Sequence, residues 1–158
     1  MRFSLSSKYA ILTLVRLAAA GGGPVTVRDL AADGSIPEPY LAKLVPPLVR
    51  AEILSSTRGR GGGIALARPA DTISLAEIIR VTEGNAALQE CPFDPDPCPG
   101  KADCPLSSVW DPLRERVVRF LEQTTLDSLA ARVKASAGDA SPHLTTETAE
   151  AKAVTDDG

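Results

Sequence analysis

The stretch Thr26-Val-Arg-Asp-Leu-Ala-Ala-Asp-Gly-Ser-Ile-Pro-Glu-Pro-Tyr-Leu-Ala-Lys-Leu44 decides the fold. Thr26-Val-Arg-Asp29 has the form of a capping box, with Asp where Glu or Gln is usual, and opens a short helix through Leu30 and Ala31. Asp33-Gly34 reads as a turn. Ser35-Ile-Pro-Glu-Pro-Tyr-Leu41 then starts a second helix with proline in its first turn, where a missing N–H costs nothing. Leu41, Leu44, Val45 and Leu48 form its inward face. Two short helices across a glycine turn, the second showing polar and basic residues, make a helix-turn-helix pattern. Pro46-Pro47 is expected to kink or tighten the second helix, because proline inside a helix removes a hydrogen bond at a cost of about 3 kcal/mol.

Any small helical hairpin has that pattern, so the next segment matters. Ile53-Leu-Ser-Ser-Thr-Arg-Gly-Arg-Gly-Gly-Gly-Ile-Ala-Leu-Ala67 reads as two β-prone runs around an Arg/Gly tip. It lacks the Gly-x-x-x-x-Gly-Lys-Ser/Thr pattern and the strand-to-helix setting of a phosphate-cradling loop. A cationic hairpin following a helix-turn-helix is a wing, and arginine gains from the negative potential of a narrow minor groove. The candidate contacts to double-stranded DNA are Tyr40 and Lys43 in the second helix, Arg28 on a phosphate, and Arg58 and Arg60 at the wing. Arg16 and Arg50 read as solvated helix faces.

Working outward, Ser6 or Ser7 can cap a first helix whose apolar face is Tyr9, Leu12, Leu14, Val15, Leu17 and Ala18. Ala20-Gly-Gly-Gly-Pro24 ends it. Ser74-Leu-Ala-Glu77 caps a later helix with Leu75, Ile78, Ile79 and Val81 inside and Gly84 at its end. Trp110, Leu113, Val117, Phe120 and Leu121 recur at helical spacing among arginines and glutamates, giving the longest and most amphipathic helix. Little chain remains to cover that stripe, so a second copy is its natural cover. Leu126, Leu129, Ala130 and Val133 form one more short helix. Beyond Ala135 the residues are small, polar and acidic, as in a disordered tail.

The expected fold is mostly α with a small β-hairpin. It comprises a winged helix-turn-helix domain (1–84), a cysteine-rich loop (85–106), a long dimerisation helix with a short following helix (107–134), and an acidic tail (135–158). Charge is uneven: residues 1–70 carry nine basic and four acidic side chains, the remainder eight and sixteen. A net +5 half beside a net −8 half suits a polyanionic partner for the first. No apolar run approaches the roughly 18–20 residues that cross a bilayer. Lys8 and Arg16 bracket the apolar stretch of the first helix too tightly for a signal peptide. The expected location is the cytoplasm, where grouped thiols suggest metal or redox chemistry rather than a structural disulfide.

All three cysteines lie in Glu90-Cys91-Pro-Phe-Asp-Pro-Asp-Pro-Cys98-Pro-Gly-Lys-Ala-Asp-Cys104-Pro105. Proline and glycine between them exclude a regular helix or central strand. A loop gathering soft sulfur ligands reads as a metal or iron–sulfur site. Zinc would want a fourth Cys or His, and the one histidine, His143, lies in the expected tail. Three thiols that ligate nothing are the bland alternative. No catalytic constellation is recognised, so an enzyme is not expected.

Together these segments resemble the IscR/NsrR/RirA/CymR-type (Rrf-two superfamily) dimeric winged-helix transcription regulators over about residues 1–134. The resemblance rests on Ser6-Ser-Lys-Tyr-Ala10, Tyr40-Leu-Ala-Lys-Leu44, Arg58-Gly-Arg-Gly-Gly-Gly63 and Ile73-Ser-Leu-Ala-Glu-Ile-Ile-Arg-Val-Thr-Glu-Gly84. The cysteine loop, Trp110 and Thr124-Thr-Leu-Asp-Ser-Leu129 complete it. It implies a repressor or activator, with repressor the expected role, homodimeric on a palindromic operator and switched by a 2Fe–2S or 4Fe–4S cluster on Cys91, Cys98 and Cys104. Such a cluster would report iron or cluster status, O₂ or nitric oxide. Where 2Fe–2S members have a ligand histidine this chain has Ser107, and where some nitric-oxide sensors have a first-helix aspartate it has Lys8. The fourth ligand is left to Asp103, Asp96, Asp94, Glu90 or a small molecule. Ala42 stands where some members carry a discriminating glutamate, so no operator carries over. Two alternatives stay open: a cluster-free redox- or partner-controlled regulator of the same fold, and a small iron–sulfur electron-transfer protein.

Overall fold

The computed structural model describes residues 3–59, 61–89, 91 and 104–138. Arg60, Cys98, Glu90, Asp94, Asp96, Asp103 and the segment 139–158 with His143 lie outside the described residues. The chain runs α1 (Leu5–Ala19), α2 (Val27–Gly34), α3 (Glu38–Arg50), β1 (Leu54–Thr57), β2 (Gly63–Leu66), α4 (Leu75–Glu83), α5 (Ser107–Gln123) and α6 (Leu126–Gly138). Single 3₁₀ turns occupy Ala70–Thr72 and Asn85–Leu88. It is the expected mostly α fold with one antiparallel hairpin.

Helix α1 is capped by Ser4, whose Oγ accepts from Ser7 N at 3.3 Å, and not by Ser6 or Ser7. Those two hydroxyls have other partners, described below. Leu12, expected on the inward face, is 41% exposed. Ala10, Leu14 and Leu17 are fully buried. Thr26 caps α2, accepting from Asp29 N at 3.1 Å and donating its hydroxyl to Asp29 Oδ2 at 2.7 Å.

The helix-turn-helix turn falls one residue later than Asp33-Gly34. Both of those residues are helical, and Ser35 makes the turn at φ 50°, ψ 38°. Ile36 N donates to Ala31 O at 2.9 Å and Ser35 N to Ala32 O at 3.2 Å, a Schellman pairing that satisfies the last carbonyls of α2. Ile36 is buried beside Leu30 and Ala31, the apolar contact that accompanies this cap.

Helix α3 runs from Glu38 to Arg50 without a break at Pro46 and Pro47. The prolines deprive the carbonyls of Ala42 and Lys43 of their donors, and both residues are exposed, so solvent can serve them. Leu41, Leu44, Val45 and Leu48 are buried before and after the pair. Each contributes about 1.5–3 kcal/mol, enough together to hold the helix across the prolines.

In the hairpin Leu54 faces Leu66 and Thr57 faces Gly63. Sequence periodicity missed its third member. Val25 and Ile64 exchange both backbone hydrogen bonds at 2.9 Å, and Leu66 N donates to Gly22 O at 2.7 Å. The wing is therefore laced to the α1–α2 linker. Arg68 clamps its exit, donating to Glu52 O, Thr72 O and the Glu77 carboxylate.

A second lacing joins the ends of the chain. Leu75 N donates to Thr124 O and Leu126 N to Ile73 O, both at 3.0 Å. This returns the end of α5 to α4 and sends α6 along α1. Leu121 and Leu126 join the core formed by α1–α4. The last helix runs to Gly138, past the expected start of the tail.

Two substitutions test the turn chemistry. A Cβ on Gly63 would lie 2.7 Å from Val25 O. Gly63→Ala is expected to destabilise by about 1–3 kcal/mol. Ser35→Gly relieves a left-handed non-glycine residue and is expected to stabilise by about 1 kcal/mol. Urea unfolding followed by circular dichroism measures both; equal midpoints for the two variants would contradict this account.

Candidate nucleic-acid interface and cysteine loop

The exposed side of α2, α3 and the wing carries Arg28, Lys43 and Arg58, all exposed. The three expected cationic contacts that are described thus carry no ion pair among the described residues and lie on the elements assigned to DNA. Arg68, by contrast, is spent on its clamp. Gly59 (φ 99°) and Gly61 (φ 74°) carry the chain around the tip in conformations that suit glycine. Gly62 cannot be larger, since a Cβ there would sit 2.2 Å from Thr57 O.

Tyr40 is only half exposed. Its ring meets Tyr9 edge-on, centroids 5.3 Å apart at 85°, and its hydroxyl shares a 2.7 Å hydrogen bond with Ser6 Oγ. An edge-to-face pair contributes about 0.5–1.5 kcal/mol, so Tyr40 also fastens α3 to the first turn of α1.

The same turn is fastened to α4. Ser4 N donates to Glu83 Oε1 at 2.7 Å, and the Ser7 hydroxyl donates to that oxygen as well. Ser7, fully buried, also shares a 2.6 Å bond with Thr82 Oγ1. Partial burial tends to raise the Glu83 pKa, but the donors from Ser7 and Ser4 outweigh it and hold the carboxyl below its ordinary 4.5. Sequence reasoning missed Glu83. The available signal was an acid at the C-terminal end of α4, where the helix dipole disfavours it.

Cys91 and Cys104, at opposite ends of the loop, are both free and half-buried. Each end is tied down. Arg114 of α5 donates to Gln89 O at 3.1 Å and pairs with Asp111 at 3.1 Å. Ser107 Oγ donates to Cys104 O at 2.9 Å at the start of α5. Arg80 and Glu122 join α4 to α5 at 2.6 Å. Ala87 and Leu88, between Gly84 and Cys91, are buried. Half-buried thiols on tied stems supply soft thiolate ligands of the kind that zinc or an iron–sulfur cluster takes. Among the described residues no three metal-ligating side chains converge, and Cys98 is not among them.

Of the expected dimerisation residues, Leu113 and Phe120 are 48% and 61% exposed. Leu106 and Val109 extend their stripe. Trp110 and Val117 are half-buried, and Leu121 is a correction: it is 5% exposed and points into the chain's own core. Its spacing matched the helix, but it lies on the flank that packs inward.

A helix-turn-helix with a basic hairpin laced beside it defines a winged-helix DNA-binding protein. Residues 3–132 match the Rrf2 model, described as an iron-dependent transcriptional regulator, and the chain belongs to that family. A putative HTH-type transcriptional regulator of Mycobacterium tuberculosis is 36% identical over 132 residues, covering 82% of this chain and 81% of that protein. The structure of CymR, the global cysteine regulator of B. subtilis, superposes with a TM-score of 0.69 at 31% identity, covering 84% of this chain and 98% of that one. T. potens IscR gives 0.68 at 28% identity, covering 86% and 90%. No helix among the described residues is long and apolar enough to cross a membrane.

The depressed Glu83 pKa makes a signed prediction. Its stabilisation is fully present above 4.5 and is lost as pH falls through the lower folded-state value. Wild type is expected to exceed Glu83→Gln in unfolding free energy by a constant margin at neutral pH, with the margin closing below 4.5. Urea titrations across that range check it, and a margin that widens in acid would reverse the assignment.

Proposed function

We propose that this protein is a homodimeric transcriptional repressor whose operator binding is switched by an iron–sulfur cluster on Cys91, Cys98 and Cys104. One observation carries the reading: two free, half-buried thiols at tied-down ends of one loop, in a chain whose exposed cations sit on α2, α3 and the wing. Cys91 and Cys104 would hold the group from its stems and Cys98 from between them. When bound, the cluster supplies a redox- and ligand-sensitive iron centre. The chain's residues do the rest: Arg114 and Ser107 hold the stems, while Arg28, Lys43 and the wing arginines Arg58 and Arg60 meet DNA. The apolar stripe Leu106, Val109, Leu113 and Phe120 would be covered by the same stripe of a second copy, presenting two reading heads to a palindrome. The fourth ligand is one of Asp103, Asp96, Asp94 or Glu90, or an exchangeable small molecule. The chain works in the cytoplasm, where its thiols stay reduced.

A second reading is favoured by the likeness to CymR, a global cysteine regulator: the same fold with its thiols acting directly, without a cluster. Absorption spectra with iron and sulfide assays on anaerobically purified protein separate the two. Visible bands that bleach in O₂ or nitric oxide are expected, and a colourless protein after reconstitution favours the second. Selection from a randomised duplex library tests DNA binding itself. Lys43→Ala and Arg58→Ala are each expected to weaken binding to the selected duplex and lower the salt slope by about 2, one contact in each copy of the dimer. A salt slope unchanged in both would remove these residues from the interface.

A further inference from the structure

We propose that Glu83 is the positioning residue through which the root of the cysteine loop holds the recognition helix α3, a reading that rests on the DNA-binding role above. Ser4 and Ser7 are held by the Glu83 carboxylate, and Ser6, between them, holds the Tyr40 hydroxyl. Four residues of one helical turn move as a unit. A displacement of Glu83 must therefore carry Ser6 with it or break a bond. Breaking one costs the buried Ser7 hydroxyl its charged acceptor and leaves it only Thr82 Oγ1, which disfavours that escape.

The location of the acid supports this. Its own helix gains nothing from a carboxylate at the C-terminal end, whereas the N-terminal end of α1 does. Glu83 serves the neighbour. Gly84, at φ 88°, turns the chain directly into Asn85–Leu88, and buried Ala87 and Leu88 leave little slack before the Gln89–Arg114 bond and Cys91. Seven residues of chain separate Glu83 from the first cysteine, and six of them, Gly84 through Gln89, are described and held by these contacts. From Glu83 a change at that cysteine reaches Tyr40 through one turn of α1.

The test uses the full chain and the duplex selected by wild type. Glu83→Gln, Ser6→Ala, their combination, and Asp71→Asn as a control at an exposed acid outside these contacts are compared by duplex affinity. Hydrogen exchange at the Tyr40 and Leu41 amides, which donate to Pro37 O, is measured in parallel. Glu83→Gln and Ser6→Ala are each expected to weaken binding about ten-fold and to speed exchange at both amides. The double variant should be weaker by no more than about two-fold beyond either single one, because both cut the same connection. Asp71→Asn should leave affinity and exchange unchanged.

Losses that multiply in the double variant, or a folded Glu83→Gln with wild-type affinity and exchange, would overturn the proposal. If Glu83→Gln does not fold, Ser7→Ala removes one of the two donors and is read the same way. Wild type selecting no duplex would instead sink the DNA-binding reading. The exchange at Tyr40 and Leu41 would then decide the connection alone: acceleration supports it, and no change overturns it.

Discussion

Helix α1 packs against α2, α3, α4, α6 and β2, so its position is the constraint that most of the structure answers to. Ala10, Leu14 and Leu17 are fully buried and Val15 nearly so, which leaves α1 no freedom to slide without opening the core. The DNA-facing elements both refer to it. The recognition helix is fixed to its first turn by Tyr40, Tyr9 and Ser6. The wing is fixed just beyond its last turn by Gly22 and Val25. The two are thus set relative to each other both by the direct contact of α3 with β1 and by opposite ends of one helix of fifteen residues.

The cysteine loop is built on the same frame. Its first stem follows α4, whose last turn grips α1 through Thr82 and Glu83. Its second stem begins α5, which Arg80–Glu122, Arg114–Gln89 and the Thr124–Leu75 backbone bond tie back to α4 and its neighbours. A reaction at the thiols therefore acts between two anchored posts, and any movement it causes is passed to posts that are already part of the core. Helix α5 keeps a separate apolar face outward, with Val109 72% exposed. Its charged residues meanwhile do the tying.

Elements set by local chemistry were legible in the sequence. Capping by Thr26 and Ser74, the stop at Gly84, the alternation of the hairpin and the long amphipathic α5 all follow from near neighbours. What escaped depended on distant ones. Val25 pairs with a residue 39 positions away, Thr125 bridges back to Ser74, and neither segment is long enough to show a period. The Pro46-Pro47 pair looked disruptive because its cost is local, while the burial of Leu41, Leu44 and Leu48 that offsets it is tertiary. The cap of α1 was misassigned because Ser4, Ser6 and Ser7 are chemically alike and only the fold says which hydroxyl faces which partner. At the site, the exposed cations were legible as such. The second role of Tyr40 was not, nor was the role of Glu83, since each depends on α1.

Charge counting needs the same correction. The net +5 of the first seventy residues includes Arg16, paired with Asp33 at 3.5 Å, and Arg68, paired with Glu77. Neither can release a counterion from DNA without giving up an internal partner. The described cations of that half that are exposed and carry no ion pair among the described residues are Lys8, Arg28, Lys43, Arg50 and Arg58. Of these, Arg28, Lys43 and Arg58 belong to α2, α3 and the wing, while Lys8 lies on α1 and Arg50 ends α3. The electrostatic footprint is thus smaller than the composition suggests and concentrated on the elements that α1 holds in register. With few phosphate contacts per copy, a second copy would double a modest salt-dependent attraction. Affinity in such a protein then depends on the relative orientation of two small footprints, which is the quantity a shift at the root of the cysteine loop would alter.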